Sequence, residues 1–251
     1  MDGYQKNKVE GRTEMELSKS DLNFVLSRCP KDIVKLLKEN TGTVFLAGGF
    51  IRATIAGEKV SDIDLLGDNA DHLLSLAKDL SLSRKGRYFQ TKNAITILAP
   101  PRIPVQLVTR WLFNDPQKLI ESFDFTVCQS VVWATKVLNI DPPVYKFHSL
   151  ISDQFYADLA ARRLVYTFPS RDEDAGGSMM RVLKFLKRGY NIQAGSLAGV
   201  IARLAAKLDF KREPEEKWIA QVLTGLLREV DPLTVVDGVD FVDEHEVISN
   251  E

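Results

Sequence analysis

The stretch from residue 44 to residue 67, VFLAGGFIRATIAGEKVSDIDLLG, determines more about this chain than the rest of its sequence. An apolar run stops at the glycine pair Gly48 and Gly49, and an apolar segment that carries Asp62 and Asp64 follows. Residues two apart in a strand point to the same face, so the two carboxylates stand side by side. A divalent cation relieves the repulsion within such a pair, and Mg²⁺ commonly joins one or two carboxylates to a substrate phosphate.

The glycine pair and Arg52 extend this pattern. Gly48 and Gly49 let the backbone approach a phosphate closely, and Arg52 is placed either to pair with that phosphate or to support the acids. The sequence therefore predicts a metal-dependent site that handles nucleotides. The alternative is a surface loop with solvated acids. The apolar neighbours Ile63 and Leu65 argue against it because they indicate partial burial.

The composition limits the class of protein. The 251 residues carry a formal net charge of −1, so no overall basic field attracts nucleic acid. The two cysteines, Cys29 and Cys128, provide neither a disulfide framework nor zinc-ligand spacing. The polar start of the chain has no apolar signal core, and no stretch reaches the roughly 18–20 apolar residues of a membrane helix. We expect a cytoplasmic protein that has no membrane partner.

The chain divides near residue 150. Before that point strands and helices alternate, which predicts an α+β fold with a mixed β-sheet flanked by helices. After it helical periodicity prevails, which predicts a small all-α domain. The expected organisation is a flexible leader at 1–16, a head domain at 17–150, and a helical neck and body at 151–251 with an acidic C-terminal tail. The helices predicted in the second half are Asp153–Arg163, Ser178–Gly189, Leu197–Leu208 and Pro214–Arg228.

The motifs of the opening stretch resemble those of a known family. The segment AGGFIRATIAG followed by SDIDLL resembles the head of the polymerase-β-like nucleotidyltransferases. It is most similar to the class II tRNA nucleotidyltransferases (CCA-adding) and the bacterial poly(A) polymerases. Their first motif reads Gly-Gly-x-Val-Arg-Asp and precedes an Asp-x-Asp pair. Gly48, Gly49, Arg52 and the acid pair match this pattern, whereas Ala53 replaces the aspartate of the first motif.

This resemblance implies a particular chemistry for the head domain. Asp62 and Asp64 would be catalytic ligands to two Mg²⁺ ions, and Gly48, Gly49 and Arg52 would bind an NTP substrate. The reaction would transfer a nucleotide from the NTP to an acceptor hydroxyl and release pyrophosphate. The acceptor that the resemblance implies is an RNA 3′ end, and tRNA in particular.

The later motifs match the family in part. Asp124, Phe125 and Thr126 keep the centre of the second motif, without its two arginines and its asparagine. The resemblance makes Asp124 a third catalytic acid or a ribose contact, and capping of a helix end is the structural alternative. The neighbouring strand carries Gln106 where many relatives have a carboxylate. Ser178 stands where the base-reading arginine of the family aligns, so the sequence does not indicate the preferred NTP.

Basic residues of the second half are the remaining candidates. Asp158, Arg162 and Arg163 resemble the neck motif of the family, and Arg181 and Lys184 lie on one face of a predicted helix. These residues are predicted to bind the nucleotide or an RNA backbone. The alternative for the basic side chains is a solvated face.

Three hypotheses about function follow. The first is nucleotidyl transfer to an RNA 3′ end. The second is the same chemistry on a protein hydroxyl or a small molecule, and the third is a decayed module that binds nucleotide or RNA without turnover. Retention of both Asp62 and Asp64 disfavours the third hypothesis. The sequence indicates no oligomeric state.

Overall fold

The computed structural model describes residues 8–9, 12–13, 15–169, 175–206, 218–219, 233–236 and 239–242. The strands of the central sheet are β1 (Val44–Ala47), β2 (Ile63–Gly67), β3 (Arg87–Gln90), β4 (Ala94–Leu98), β5 (Val105–Val108), β6 (Ser130–Val137) and β7 (Val144–Ile151). The seven strands are ordered β3-β4-β5-β2-β1-β6-β7. The helices are α1 (Lys19–Arg28), α2 (Lys31–Glu39), α3 (Gly49–Ala56), α4 (Ala70–Arg84), α5 (Pro116–Glu121), α6 (Phe155–Ala160), α7 (Ala175–Lys187) and α8 (Ala194–Ala205).

The centre of the sheet holds the candidate acids. Strand β1 runs antiparallel to β2 and to β6, whereas β2 and β5 are parallel. In this register Asp64 stands opposite Ala47 on one side and beside Gln106 on the other. The turn that follows β1 and the start of β2 therefore lie at the same end of the sheet.

Alternating residues of β1 contribute to two cores. Val44 and Leu46 pack in a large core together with residues of helices α1 to α4. Phe45 and Ala47 pack on the opposite side of the sheet, where Leu119 of α5 lies. All four β1 residues are buried. Alternate side chains of a strand point to opposite faces of the sheet, and each face is covered here by helices.

Two elements of the first half differ from the sequence prediction. Helix α3 occupies the segment between the glycine pair and the acids, and the sequence pattern does not indicate it. Residues Phe50 to Thr54 are all buried, so α3 lacks the polar face that marks an amphipathic helix. Strand β7 is likewise unpredicted, because its first residues are exposed and its apolar alternation is weak.

The second half contains short strands that the prediction of an all-α domain lacks. Arg163–Leu164 pairs in parallel with Asn191–Ile192, and Leu233–Val236 pairs antiparallel with Val239–Val242. Strands of two residues are too short to leave a periodic pattern in a sequence. The second pairing lies in an acidic stretch, whose charged residues led to its prediction as a tail. The predicted helix Asp153–Arg163 corresponds to the shorter helix α6. The next two predicted helices correspond to α7 and α8. The fourth, Pro214–Arg228, lies outside the described residues except at 218–219.

The start of the chain contacts the sheet. Within the predicted leader, Lys8–Val9 pairs with Arg12–Thr13, and Met15 forms a bridge with Ile151 of β7. Across the parts of the chain that the structure describes, no helix has the length and apolar character needed to cross a membrane.

Candidate functional site

The glycine pair forms the turn from β1 into α3. Gly48 has φ 69° and ψ −120°, a conformation that L-residues rarely adopt, and its amide donates to the carbonyl of Ser130 at 3.0 Å. An added Cβ on Gly48 would lie 3.3 Å from the Phe123 ring. An added Cβ on Gly49 would meet no heavy atom within 4 Å beyond its own helix and chain neighbours. The N-terminus of the eight-residue helix α3 therefore opens onto space at Gly49, where its amides and dipole favour an anion.

The two acids lie beside this turn. Asp62 directly precedes β2, and Asp64 is its second residue; both are partly exposed, whereas Ile63 and Leu65 are buried. Ser61 Oγ donates to Asp62 Oδ1 at 2.7 Å. Because Asp64 is the cross-strand neighbour of the residue before Gly48, the acid pair and the open helix start belong to one site.

The site supplies some, but not all, of the oxygen ligands that a hard cation such as Mg²⁺ needs. Asp62 and Asp64 supply carboxylates, and the buried Gln106 on β5 lies next to Asp64 in the parallel register. Within the described segments, no group of three or more His, Cys, Asp or Glu side chains is placed to hold a metal ion. Two carboxylates together with phosphate oxygens form a ligand set that suits Mg²⁺. A metal at this site would thus depend on the nucleotide for further ligands.

Asp124 is not a third carboxylate of this group. It is buried, and Arg181 Nη1 of α7 donates to its Oδ2 at 2.5 Å. Its backbone carbonyl accepts from the amide of Thr167 at 3.0 Å. The predicted third acid therefore joins the head to α7, because a buried carboxylate needs a cation and Arg181 supplies it. A contact of this pair with ribose stays a prediction.

The neck residues Asp158 and Arg163 bind each other. Asp158 is fully buried and accepts from Thr126 Oγ1 at 2.5 Å and from Arg163 Nε at 2.7 Å. Arg162 is exposed, and its Nη1 donates to the carbonyl of Arg188 at 3.0 Å. The predicted nucleotide contacts of these three residues stay predictions, while the structure shows what each of them holds inside the chain.

Arg52 is buried behind the turn. Only 4% of the residue is exposed, and its Nε lies 3.7 Å from Glu58 Oε2. Its guanidinium lies 4.6 Å from the centre of the Phe185 ring of α7. The sequence left open contact with a phosphate or support of the acids, and both roles stay predictions. The structure places the Arg52 side chain against Glu58 and Phe185. Burial, together with the nearby negative charge of Glu58, raises the pKa of Tyr190, so its hydroxyl stays protonated near this pair.

Sequence reasoning missed Glu58 and the role of Phe185. Glu58 follows Gly57, which ends α3 in the left-handed conformation, and its amide donates back to Ala53. A carboxylate just past a glycine helix end looks like a solvated residue. Its partner Arg52 lies on α3, before the end of the helix at Gly57, whereas Phe185 is more than a hundred residues away in the sequence. Lys184 is half-buried on α7, one residue before Phe185.

Comparisons with known proteins assign the family. A protein-family model described as Gabija anti-defense 2 family protein matches residues 16–162. A relative from Bacillus phage SPbetaL7, named Gabija anti-defense 2, is 23% identical over 163 residues, which are 64% of this chain and 37% of that protein. The matching model is not that of the tRNA nucleotidyltransferases, which corrects the family predicted from the motifs.

Solved CCA-adding enzymes share the fold. The Thermotoga maritima CCA-adding enzyme complexed with tRNA has a TM-score of 0.51 and 18% identity, over 84% of this chain and 51% of that chain. Complexes of a CCA-adding enzyme with ATP and with CTP have TM-scores of 0.50 and identities of 17% and 15%. At such identities the likeness shows the fold alone, and it confirms the predicted α+β fold with a nucleotidyltransferase-like head. The chain spans about half the length of these solved structures.

Proposed function

The chain belongs to the Gabija anti-defense 2 family, and from this premise we propose that it is a metal-dependent nucleotidyltransferase. One observation carries the proposal. Asp62 and Asp64 lie at the start of β2, and Asp64 pairs with Ala47, the residue before Gly48, so the backbone brings two acids close to the N-terminus of α3. A cation held by the acids and a phosphate held by the helix amides would be neighbours there.

The residues of the site fit the demands of phosphoryl transfer, which are positioning and neutralisation of charge. The amide of Gly49 and the dipole of α3 would bind triphosphate oxygens at the helix start. Asp62 and Asp64 would hold Mg²⁺ against the same phosphates; when bound, the metal activates the acceptor hydroxyl and stabilises the leaving group. The acceptor oxygen bonds to the α-phosphorus, the bond to the bridging oxygen breaks, pyrophosphate leaves, and the hydroxyl proton passes to water.

An RNA 3′ end is the first candidate for the acceptor. The solved enzymes of this fold are described in complexes with tRNA, ATP and CTP. Of the contacts predicted in the second half, Lys184 is half-buried and Arg162 is exposed, so both are candidates to contact an RNA backbone.

A non-RNA acceptor is the second candidate, and one observation favours it. Arg163 and Arg181 are engaged with buried carboxylates of the same chain, so their charges are already balanced. With a net charge of −1, the chain has no overall basic field that would attract RNA. The family description gives a role against a defence, which fits modification of a protein hydroxyl as well as modification of RNA.

The test is a transfer assay with separated acceptors. The full chain is incubated with Mg²⁺ and each α-³²P-labelled NTP, once with total RNA and once with total protein, and pyrophosphate is measured in parallel. The controls are Asp62→Asn, and Asp68→Asn as a matched change of an exposed carboxylate outside the site. We expect label with the wild type and Asp68→Asn, and none with Asp62→Asn.

Digestion of the labelled product identifies the acceptor. Label removed by ribonuclease establishes the RNA acceptor, and label removed by protease establishes the protein acceptor. If no NTP yields pyrophosphate with either fraction, the proposal is wrong and the hypothesis of a nucleotide-binding module without turnover replaces it.

A further inference from the structure

Arg52 belongs to the head, but its side chain contacts the neck. Helix α3 carries it one turn after the glycine pair, and its amide donates to the carbonyl of Gly48 at 3.2 Å. Its guanidinium lies over the ring of Phe185 at 4.6 Å, within the range of a cation–π contact. One short helix therefore links the start of the candidate phosphate site to α7.

The surroundings of this contact are polar and buried. The side chains of Arg52 and Glu58 are 5% and 11% exposed and lie 3.7 Å apart, longer than a hydrogen bond. Arg52 Nε, both carboxylate oxygens of Glu58 and the hydroxyl of Tyr190 have no hydrogen-bond partner. The Tyr190 ring packs edge-on against Phe185, with centroids 4.9 Å apart.

Stability alone does not explain such a pair. Apolar residues of similar volume commonly replace a buried ion pair with no loss of stability, because both charges must be desolvated. What an arginine adds is a flat guanidinium that stacks on an aromatic ring and fixes its orientation. In this chain the ring is on α7, so the stack fixes α7 relative to α3.

Helix α7 also carries candidate contacts of the site. Arg181 and Lys184 precede Phe185 by four residues and by one residue, and Arg181 is anchored to Asp124 of the head. A shift of Phe185 against Arg52 would move these cations relative to the turn at Gly48.

From these contacts we infer that Arg52 is a positioning residue: its stack on Phe185, balanced by Glu58, holds α7 in a fixed relation to the nucleotide site. The inference rests on the proposed function, since the site that is positioned is the nucleotide site of that proposal. Arg52 acts through α3 and α7 and does not touch the nucleotide.

The decisive variant removes both charges at once. In the full chain, Arg52→Met with Glu58→Gln keeps the volume and leaves no unpaired buried charge, so we expect the double variant to fold. Affinity for ATP, measured by calorimetry with Ca²⁺ to prevent turnover, is expected to fall at least about tenfold, which is the loss that follows when one hydrogen bond to a charged phosphate is broken. Backbone amides of α7 are expected to exchange hydrogen faster.

Two controls separate positioning from general damage. The double variant Arg84→Met with Asp32→Asn removes a partly buried arginine–carboxylate pair that joins α4 to α2, with an Nε–Oδ2 distance of 2.8 Å. It is expected to leave α7 exchange unchanged, because the pair includes no residue of α7. Arg52→Lys keeps the charge opposite Glu58 without the flat stack, so we expect it to fold and to keep only part of the affinity for ATP.

Each outcome decides the inference. Unchanged ATP affinity and unchanged α7 exchange in the Arg52–Glu58 double variant would overturn it, as would full affinity in Arg52→Lys. If that double variant does not fold, Phe185→Leu replaces it with the same expectations. If the wild type binds no nucleotide, both the proposed function and the positioning role are wrong. Faster exchange of α7 amides in the variant would then show only that Arg52 holds α7 against α3.

Discussion

Replacing Gly49 with alanine separates the requirements of the fold from those of the candidate site. Gly49 is the first residue of α3, and no heavy atom outside its own helix and chain neighbours would contact an added Cβ within 4 Å. Alanine is favoured over glycine in a helix by about 0.5–1 kcal/mol. For a chain of this size, 1 kcal/mol corresponds to about 2–4 °C in Tm. We therefore expect Gly49→Ala to keep Tm unchanged or to raise it slightly.

The neighbouring glycine is the matched comparison. Gly48 has φ 69° and ψ −120°, and its added Cβ would lie 3.3 Å from the Phe123 ring. Holding an L-residue in so rarely populated a conformation costs about 1–3 kcal/mol. Gly48→Ala should therefore lower Tm, by about 2–4 °C for each kcal/mol. The two substitutions add the same methyl group, yet Gly48→Ala is expected to lower Tm, whereas Gly49→Ala is expected to leave it unchanged or to raise it slightly.

The effect of Gly49→Ala on binding is expected to be large. The methyl group would fill the open space through which a phosphate oxygen reaches the amide at the helix start. Loss of one hydrogen bond to a charged group costs about 1.5–3 kcal/mol, which is roughly 10- to 150-fold in affinity. Gly49→Ala should thus bind ATP at least about tenfold more weakly while it remains as stable as the wild type.

Two measurements check this prediction. Thermal unfolding followed by circular dichroism gives Tm, and calorimetric titration with ATP and Ca²⁺ gives the affinity. A stable Gly49→Ala protein with the affinity of the wild type would refute the placement of phosphate at this helix start. A Gly49→Ala protein as unstable as Gly48→Ala would instead contradict the open space found around Gly49.

Three further predictions concern other parts of the head. Asp62→Asn and Asp64→Asn should each lower pyrophosphate release by at least about 10²-fold at unchanged Tm, and wild-type rates in either would contradict their assigned role. Burial raises the pKa of Cys29 to about 12 and that of Cys128 to about 11, so at pH 8 a disulfide reagent should react with both thiols only after unfolding. Thiols in the unfolded chain have a pKa of about 8.5, below the raised values in the fold, so the free energy of unfolding should decline as the pH rises above about 8.5. Gln106→Glu places a third carboxylate beside Asp64, so Tm should fall in EDTA and recover with Mg²⁺; a Tm insensitive to Mg²⁺ would show that residue 106 does not face the acids.

The acid pair and its strand could be predicted because their signal is local. Four apolar residues before Gly48 and the alternation around Asp62 and Asp64 specify two neighbouring strands, and the structure pairs them. The helix between them could not be predicted in the same way. With buried residues from Phe50 to Thr54 and glycines at both ends, α3 presents neither a polar face nor a capping side chain.

The partners of the charged candidates could not be predicted at all. Arg181 and Asp124 are 57 residues apart in the chain. A basic residue on a helix face looks the same in sequence whether it binds phosphate or a distant carboxylate, since only the packing of α7 on the head decides between the two. The same limit applies to Asp158, which the family motif presented as a nucleotide contact and which the fold buries under Thr126 and Arg163.

The pairing of these charges bears on how the site would bind a triphosphate. Three arginines that the sequence offered as nucleotide contacts each hold a carboxylate of the same chain. The pairs are Arg52 with Glu58, Arg163 with Asp158, and Arg181 with Asp124. Each pair is neutral as a whole, so the countercharge for a triphosphate has to come mainly from metal held by Asp62 and Asp64 and from the dipole of α3. Affinity for nucleotide should consequently depend on divalent cation far more than on any single arginine of the neck.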